Sequence, residues 1–242
     1  MKQLILLNGP MNCGKSFAVN YLKSVLNTAL VERQCKDKLH ELTMSIFNVP
    51  TERYWNVYTD KMLKELPLND FRLTVPAYNL LMDRLHGVDA EPYYQKTHFH
   101  ENNDERLVDI SIRQAMIYVS ECLMKPTFGH DYFGLARINS MEDSEIAIDD
   151  SAGFEEELYP AIEKIGQDNI LLLRVHGRGE FAVNDSRSFI PDGVIDNTVD
   201  IDNSDDSEEG LARYLELVTN TVNCFLDGNK IAYVPSVLSK TS

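Results

Sequence analysis

Gly9, Pro10, Met11, Asn12, Cys13, Gly14, Lys15 and Ser16 spell the spacing G-x-x-x-x-G-K-S, which suits one kind of chemistry, the cradling of phosphate. Each residue type has a separate task. Glycines at both ends let the backbone wrap closely, so that its N–H groups and a following helix N-terminus face the anion. The lysine reaches the β and γ phosphates, and the serine hydroxyl ligates Mg²⁺. Chance produces the pattern in about one chain in a hundred of this length.

Further candidates lie far along the chain. Asp149 and Asp150 end the apolar run Ile146–Ile148, and a carboxylate at the C-terminal end of a parallel strand points into the crevice where ligands bind. Asp150 could hold a Mg²⁺ water or orient the attacking oxygen, and is preferred over Asp149 because its neighbour Ser151 opens the loop. The pair could instead form an acidic turn or cap the next helix. A segment rich in glycine and arginine, from Arg174 to Gly179 and on to Asp185, Ser186 and Arg187, follows a second buried run. Arg178 and Arg187 could neutralise the charge that develops during phosphoryl transfer, or stand as solvated surface charges.

Arg113 could reach an acceptor phosphate or pair with Glu105 or Asp109. Arg33, Lys36 and Lys38 are similar acceptor-site candidates. Two metal readings fail on spacing. His98 and His100 have no further ligands at zinc spacing. Asp200, Asp202 and Ser204 start like a calcium loop, but Asp205 stands where glycine is needed and Leu211 where the bidentate glutamate is needed.

The elements that must position these groups follow from periodicity. Gln3–Asn8 reads as a buried strand, and Ala18, Tyr21, Leu22 and Val25 give a helix from about Lys15 its apolar face. A second strand is expected at 29–32, a helix from about Asp37 to before Pro50, and a helical aromatic stretch at Tyr54, Trp55 and Tyr58. From Pro67 to Arg106 breakers dominate, and the polar run His98–Glu105 reads as an exposed loop. Leu107, Val108, Ile112, Ala115, Val119 and Cys122 mark a helix that Pro126 ends, and a shorter helix follows His130 or Asp131. Strands at 146–148, 170–175 and 198–202 alternate with helices at 154–165 and 211–222, which implies a parallel sheet. The tail after Gly228, with Ile231–Val234, could cover a sheet edge.

Composition bounds the function. The 242 residues with 43% hydrophobic content suffice for a real core. No run is long enough for a membrane span, and Met1–Leu7 lacks the pattern of a secretory signal, so a soluble cytoplasmic protein is expected. The four cysteines are far apart, which suggests free thiols. A net charge of −15 argues against a general nucleic-acid surface but leaves room for a local basic nucleotide cavity.

Together the phosphate loop, the Lys36–Leu39 helix start, the Ser111–Met116 motif, Asp150 and the Asp185–Arg187 loop resemble the deoxynucleoside monophosphate kinases of tailed bacteriophages. The resemblance implies an α/β P-loop kinase fold of the adenylate-kinase type: a five-stranded parallel sheet flanked by helices, a helical acceptor-binding insertion and a short lid. It implies one domain over 1–242, with 50–106 as an acceptor-binding or interface insertion and 176–190 as the lid. Residues 67–106 could form an acceptor flap, a homodimer contact, or both. Mg-ATP would be the donor and a dNMP the acceptor, within a host-cell cytoplasm if phage-encoded.

The same resemblance implies that Gly9, Gly14, Lys15 and Ser16 hold the donor phosphates, with Asn203 beside the adenine; Asn12, Cys13 and Phe17 are expected to complete the donor site. Lys38, Arg113 and Asp150 would bind the acceptor, Ser16 and Asp150 the metal, and Lys15, Asp150, Arg178 and Arg187 would serve catalysis. Ile117 replaces a glutamine of the family pattern, and Ala152 and Gly153 stand where an arginine is usual. Two other readings stay open: a kinase of another small metabolite, and a nucleotide-dependent binding protein with no acceptor.

Overall fold

The computed structural model describes residues 1–60, 62–87, 98–102, 105–181 and 187–228. Along the chain come β1 (Gln3–Asn8), α1 (Lys15–Val25), β2 (Leu30–Glu32), α2 (Cys35–Ile46), α3 (Thr51–Tyr58), β3 (Leu68–Thr74) and α4 (Val75–Gly87). Next are β4 (His98–Asn102), β5 (Glu105–Ile110), α5 (Ile112–Ile117), a π-helical segment (Tyr118–Met124), α6 (Lys125–Phe128) and α7 (Tyr132–Ser140). The chain continues with β6 (Ile146–Ala152), α8 (Tyr159–Ile165), β7 (Ile170–His176), β8 (Asn197–Asp202) and α9 (Glu208–Leu226). It divides into two compact units, residues 1–35 with 134–242, and residues 36–133. The 50–106 segment expected as an insertion falls within the second.

The first unit is an α/β structure around a five-stranded, all-parallel sheet in the order β2-β6-β1-β7-β8. A strand buried on both faces needs apolar residues in succession, without alternation. Leu4, Ile5, Leu6 and Leu7 are all fully buried. Their side chains divide by the period of two: Ile5 and Leu7 join Ala18, Leu22, Val218 and Val222 of α1 and α9. Leu4 and Leu6 join Ile138 of α7, Ala161 of α8 and Leu158. Helices therefore cover both faces, and β1 delivers the phosphate-loop residues at its C-terminal end.

The second unit, 36–133, differs from the helical insertion expected. It contains a three-stranded antiparallel sheet, β3-β5-β4. The polar run 98–105, expected as an exposed loop, holds β4 and the first residue of β5, with Phe99 paired to Val108 and His100 to Leu107. Backbone pairing sets a strand, and polar side chains along it hide the signal of alternation. Leu107 and Val108 belong to that strand and not to the following helix. The helix begins after Ser111, whose hydroxyl accepts from the Gln114 N–H at 3.1 Å.

Pro126 does not end that helix. It occupies the first turn of α6, after the π-helical segment, where a missing N–H is tolerated, and the helical path runs to Phe128. In the same unit His40 shares a 2.6 Å hydrogen bond with the Tyr54 hydroxyl and packs against Trp55 and Tyr58. Burial, aided by the charge of Lys36, lowers the His40 pKa to about 4. The tail expected to cover a sheet edge lies outside the described residues, as do Asp185 and Ser186. Among the described residues no helix is long and apolar enough to cross a membrane.

Candidate phosphate-binding site

The loop between β1 and α1 is held from behind by its own unit. Gly14, at φ +104, takes a conformation that L side chains rarely adopt and opens α1. Asn203, 3% exposed at the end of β8, donates through Nδ2 to the Cys13 carbonyl at 2.8 Å. The Tyr214 hydroxyl donates to the Gly14 carbonyl at 3.3 Å, and burial pushes that phenol's pKa up, so it keeps its proton. Asn203, expected beside an adenine, thus supports the loop backbone; its Oδ1 is buried with no partner among the described residues.

Lys15 lies over the loop it closes. Its ammonium donates to the carbonyls of Gly9 at 2.7 Å and Pro10 at 2.6 Å, with the Cys13 sulfur at 3.5 Å. Cys13 is fully buried, whereas Phe17 is half exposed and Asn12 carries a positive φ of 65°. Asparagine tolerates that conformation better than most residues.

The two aspartates at the end of β6 part company. The Ser16 hydroxyl donates to Asp150 Oδ2, and Gln34 Nε2 donates to Asp150 Oδ1 at 2.6 Å. Asp149, fully buried, accepts from Arg137 Nη1 at 2.6 Å and from the Ser151 N–H and hydroxyl at 2.7 and 2.6 Å. Arg137 also reaches the Glu157 carbonyl at 3.2 Å. Strand alternation puts successive side chains on opposite faces, so one carboxylate meets the phosphate loop and the other an internal cation.

Beyond β7 the arginine-rich segment approaches the loop as well. A Cβ on Gly179, at φ +69, would stand 2.0 Å from the Met11 carbonyl oxygen, so only glycine lets the turn touch the loop tip. Arg178 donates to the Asp205 carbonyl and lies 3.0 Å from the Asp206 carboxylate. It bridges to the β8–α9 turn. Arg187 lays its aliphatic stem across the backbone of Gly153, three residues past Asp150. Of the expected acceptor residues, Arg113 and Lys38 belong to the second unit, where Arg113 pairs with Glu65 at 3.2 Å and Lys38 pairs with Glu41 at 2.7 Å.

Three residues not singled out from the sequence complete the arrangement. Asn8, fully buried, donates to the carbonyls of Ala152 and Ser188 at 2.9 and 3.0 Å and accepts from the Ile190 N–H at 2.9 Å. It ties β1, the end of β6 and the return of the arginine segment together. Arg137 and Gln34 fix the two aspartates. Behind them Arg174 grips Asp200 with two bonds of 2.8 and 2.7 Å. Burial alone would raise the Asp200 pKa; the hydrogen bonds from Arg174 and His176 outweigh it and hold the carboxyl below its usual range.

The parallel sheet and the loop after its central strand define an α/β protein of P-loop-like arrangement. No family model matches the sequence, and no curated protein does. Among solved structures it is similar to pnob8 ParA, at 12% identity over 99% of this chain and 78% of that one, with a TM-score of 0.31. A likeness at that level carries no argument, and the arrangement rests on strand order and loop geometry.

Proposed function

We propose that the protein is a phosphotransferase that moves the γ-phosphoryl of Mg-ATP to a deoxynucleoside monophosphate, giving a dNDP. The observation that carries the reading is the Ser16–Asp150 hydrogen bond beside the G-x-x-x-x-G-K-S loop. A hydroxyl and a carboxylate are hard oxygen donors, and Mg²⁺ needs only one or two such protein groups when phosphates and water fill its shell. When bound, Mg²⁺ would neutralise charge on the β and γ oxygens.

The remaining work falls to this chain's own residues. Lys15, which bonds the Gly9 and Pro10 carbonyls, has the reach and charge to take phosphate oxygens in their stead. Phosphoryl transfer demands positioning and charge stabilisation more than covalent chemistry. Arg187 and Arg178 supply positive charge, Arg178 beside the turn that touches the loop tip and Arg187 against Gly153 past Asp150. The choice of a dNMP as acceptor draws on the resemblance carried by Ser111–Met116 and Lys36–Leu39, with Lys38 and Arg113 as phosphate-binding residues.

A panel of dNMPs, NMPs and unrelated acceptors with Mg-ATP, read as ADP formed and product mass, tests the proposal. The expected result is ADP formation that depends on a dNMP, with the dNDP as product. Turnover with a different metabolite would replace the acceptor class, and ATP binding without any acceptor-dependent turnover would favour a nucleotide-controlled binding protein.

A further inference from the structure

We propose that Gln34 is a positioning residue for the divalent cation that accompanies the nucleotide, acting through Asp150. The inference rests on the phosphate-loop reading above and adds a residue to it. Gln34 lies just past the end of β2, which pairs with β6 in the register Glu32 to Ile148. Two residues further along each strand, that register brings Gln34 beside Asp150.

Three successive residues stitch this segment to the end of β6. The Arg33 N–H donates to the Ile148 carbonyl at 3.1 Å, extending the ladder by one bond. Gln34 Nε2 donates to Asp150 Oδ1 at 2.6 Å, and the Cys35 N–H donates to Asp149 Oδ2 at 3.4 Å. The Arg33 side chain is anchored separately, with bonds of 2.8 and 2.9 Å to the Glu145 carboxylate. The backbone that carries Gln34 is thus fixed on both sides, and its amide meets Asp150 in a set geometry.

The chemistry of the contact is specific. An ionised carboxylate only accepts hydrogen bonds, so the amide must present its NH₂. With Ser16 on Oδ2 and Gln34 on Oδ1, the carboxylate plane is set by one donor on each oxygen. Both donors are neutral. A lysine or arginine in the place of Gln34 would hold the carboxylate equally well but neutralise the charge that attracts a cation. An amide orients the group and leaves its negative charge available, as partners of metal-binding carboxylates commonly do.

The test measures Mn²⁺ binding by electron paramagnetic resonance on the full chain with a non-hydrolysable ATP analogue, for wild type, Gln34→Leu and Gln34→Lys. Analogue affinity is measured in parallel in EDTA. Gln34→Leu should weaken Mn²⁺ binding in the nucleotide complex about tenfold while metal-free analogue affinity stays within about twofold. Gln34→Lys, which can still reach Asp150, should lose at least as much, because its charge opposes the cation. Unchanged Mn²⁺ affinity in Gln34→Leu overturns the proposal. So does an equal loss of analogue affinity with and without metal, which would mark Gln34 as a support of the loop alone. A wild type that binds no analogue in either condition overturns the phosphate-loop reading and this proposal with it.

Discussion

The two faces at the end of β6 treat neighbouring carboxylates in opposite ways. Asp149 is enclosed with Arg137, both side chains fully buried, and its oxygens are occupied by groups of its own fold. Among the described residues, the hydrogen-bond partners of Asp150 are the neutral donors Ser16 and Gln34. An internal ion pair whose members cancel is scaffold, whereas an anion held by neutral donors keeps its charge for something that arrives. Adjacent positions of one strand thereby separate stability from chemistry.

Substitutions on either side can break or sharpen that contrast. The largest effect is expected at the site: Lys15→Ala should lower kcat/KM for phosphoryl transfer by about a thousandfold. Its thermal midpoint should stay near wild type, because among the described residues the ammonium bonds loop carbonyls and a thiol and no core group. Retained turnover would remove the loop from the mechanism.

On the scaffold side, Asp149→Ala removes the carboxylate that Arg137 bonds in the interior, leaving the charge of Glu157 as its remaining electrostatic partner among the described residues, and should cost about 3–5 kcal/mol in denaturant unfolding. Asp150→Asn should change unfolding stability by no more than about 0.5 kcal/mol. Equal costs for the two variants would erase the distinction between the faces.

The second unit offers a pH probe of a buried group that stands outside the loop. His40 has a folded pKa of about 4, below the 6.5 of an unfolded histidine. As pH falls, the unfolded chain therefore takes up the proton first. The stability associated with neutral His40 is complete above pH 6.5 and is lost as pH falls from there toward 4, by about 3 kcal/mol. Unfolding free energies measured across that window should show the loss in wild type and a flatter profile in His40→Gln. An equal slope in both would assign the acid sensitivity to other groups.

The parts of this molecule legible in the sequence are those written over short distances. The eight-residue loop and the continuous apolar run of β1 each lie within one window, and the structure has the parallel sheet they imply; of the α1 stripe Ala18 and Leu22 are buried, whereas Tyr21 and Val25 are exposed and Val19 takes the place in the core. What escaped depends on partners far apart in the chain. Gln34 and Asp150 are separated by 116 residues, and Asn8 and Ile190 by 182. That β2 lies beside β6 follows from sheet order, which periodicity does not encode. The antiparallel sheet of the second unit was hidden for another reason. In β4, His98, His100, Glu101 and Asn102 leave too few apolar residues to reveal the period of two. Pro126 misleads because a proline stops a helix where a backbone N–H donor is needed, and at the first turn of α6 none is.

The measurement that bears most directly on the account is calorimetric titration of a non-hydrolysable ATP analogue into wild type and Asp150→Asn, each with and without Mg²⁺. Mg²⁺ should strengthen binding to wild type by about tenfold or more, and Asp150→Asn should lose that gain while keeping its metal-free affinity. A variant that retains the full Mg²⁺ effect would contradict the assignment of Asp150, and with it the division of labour between the two faces of β6.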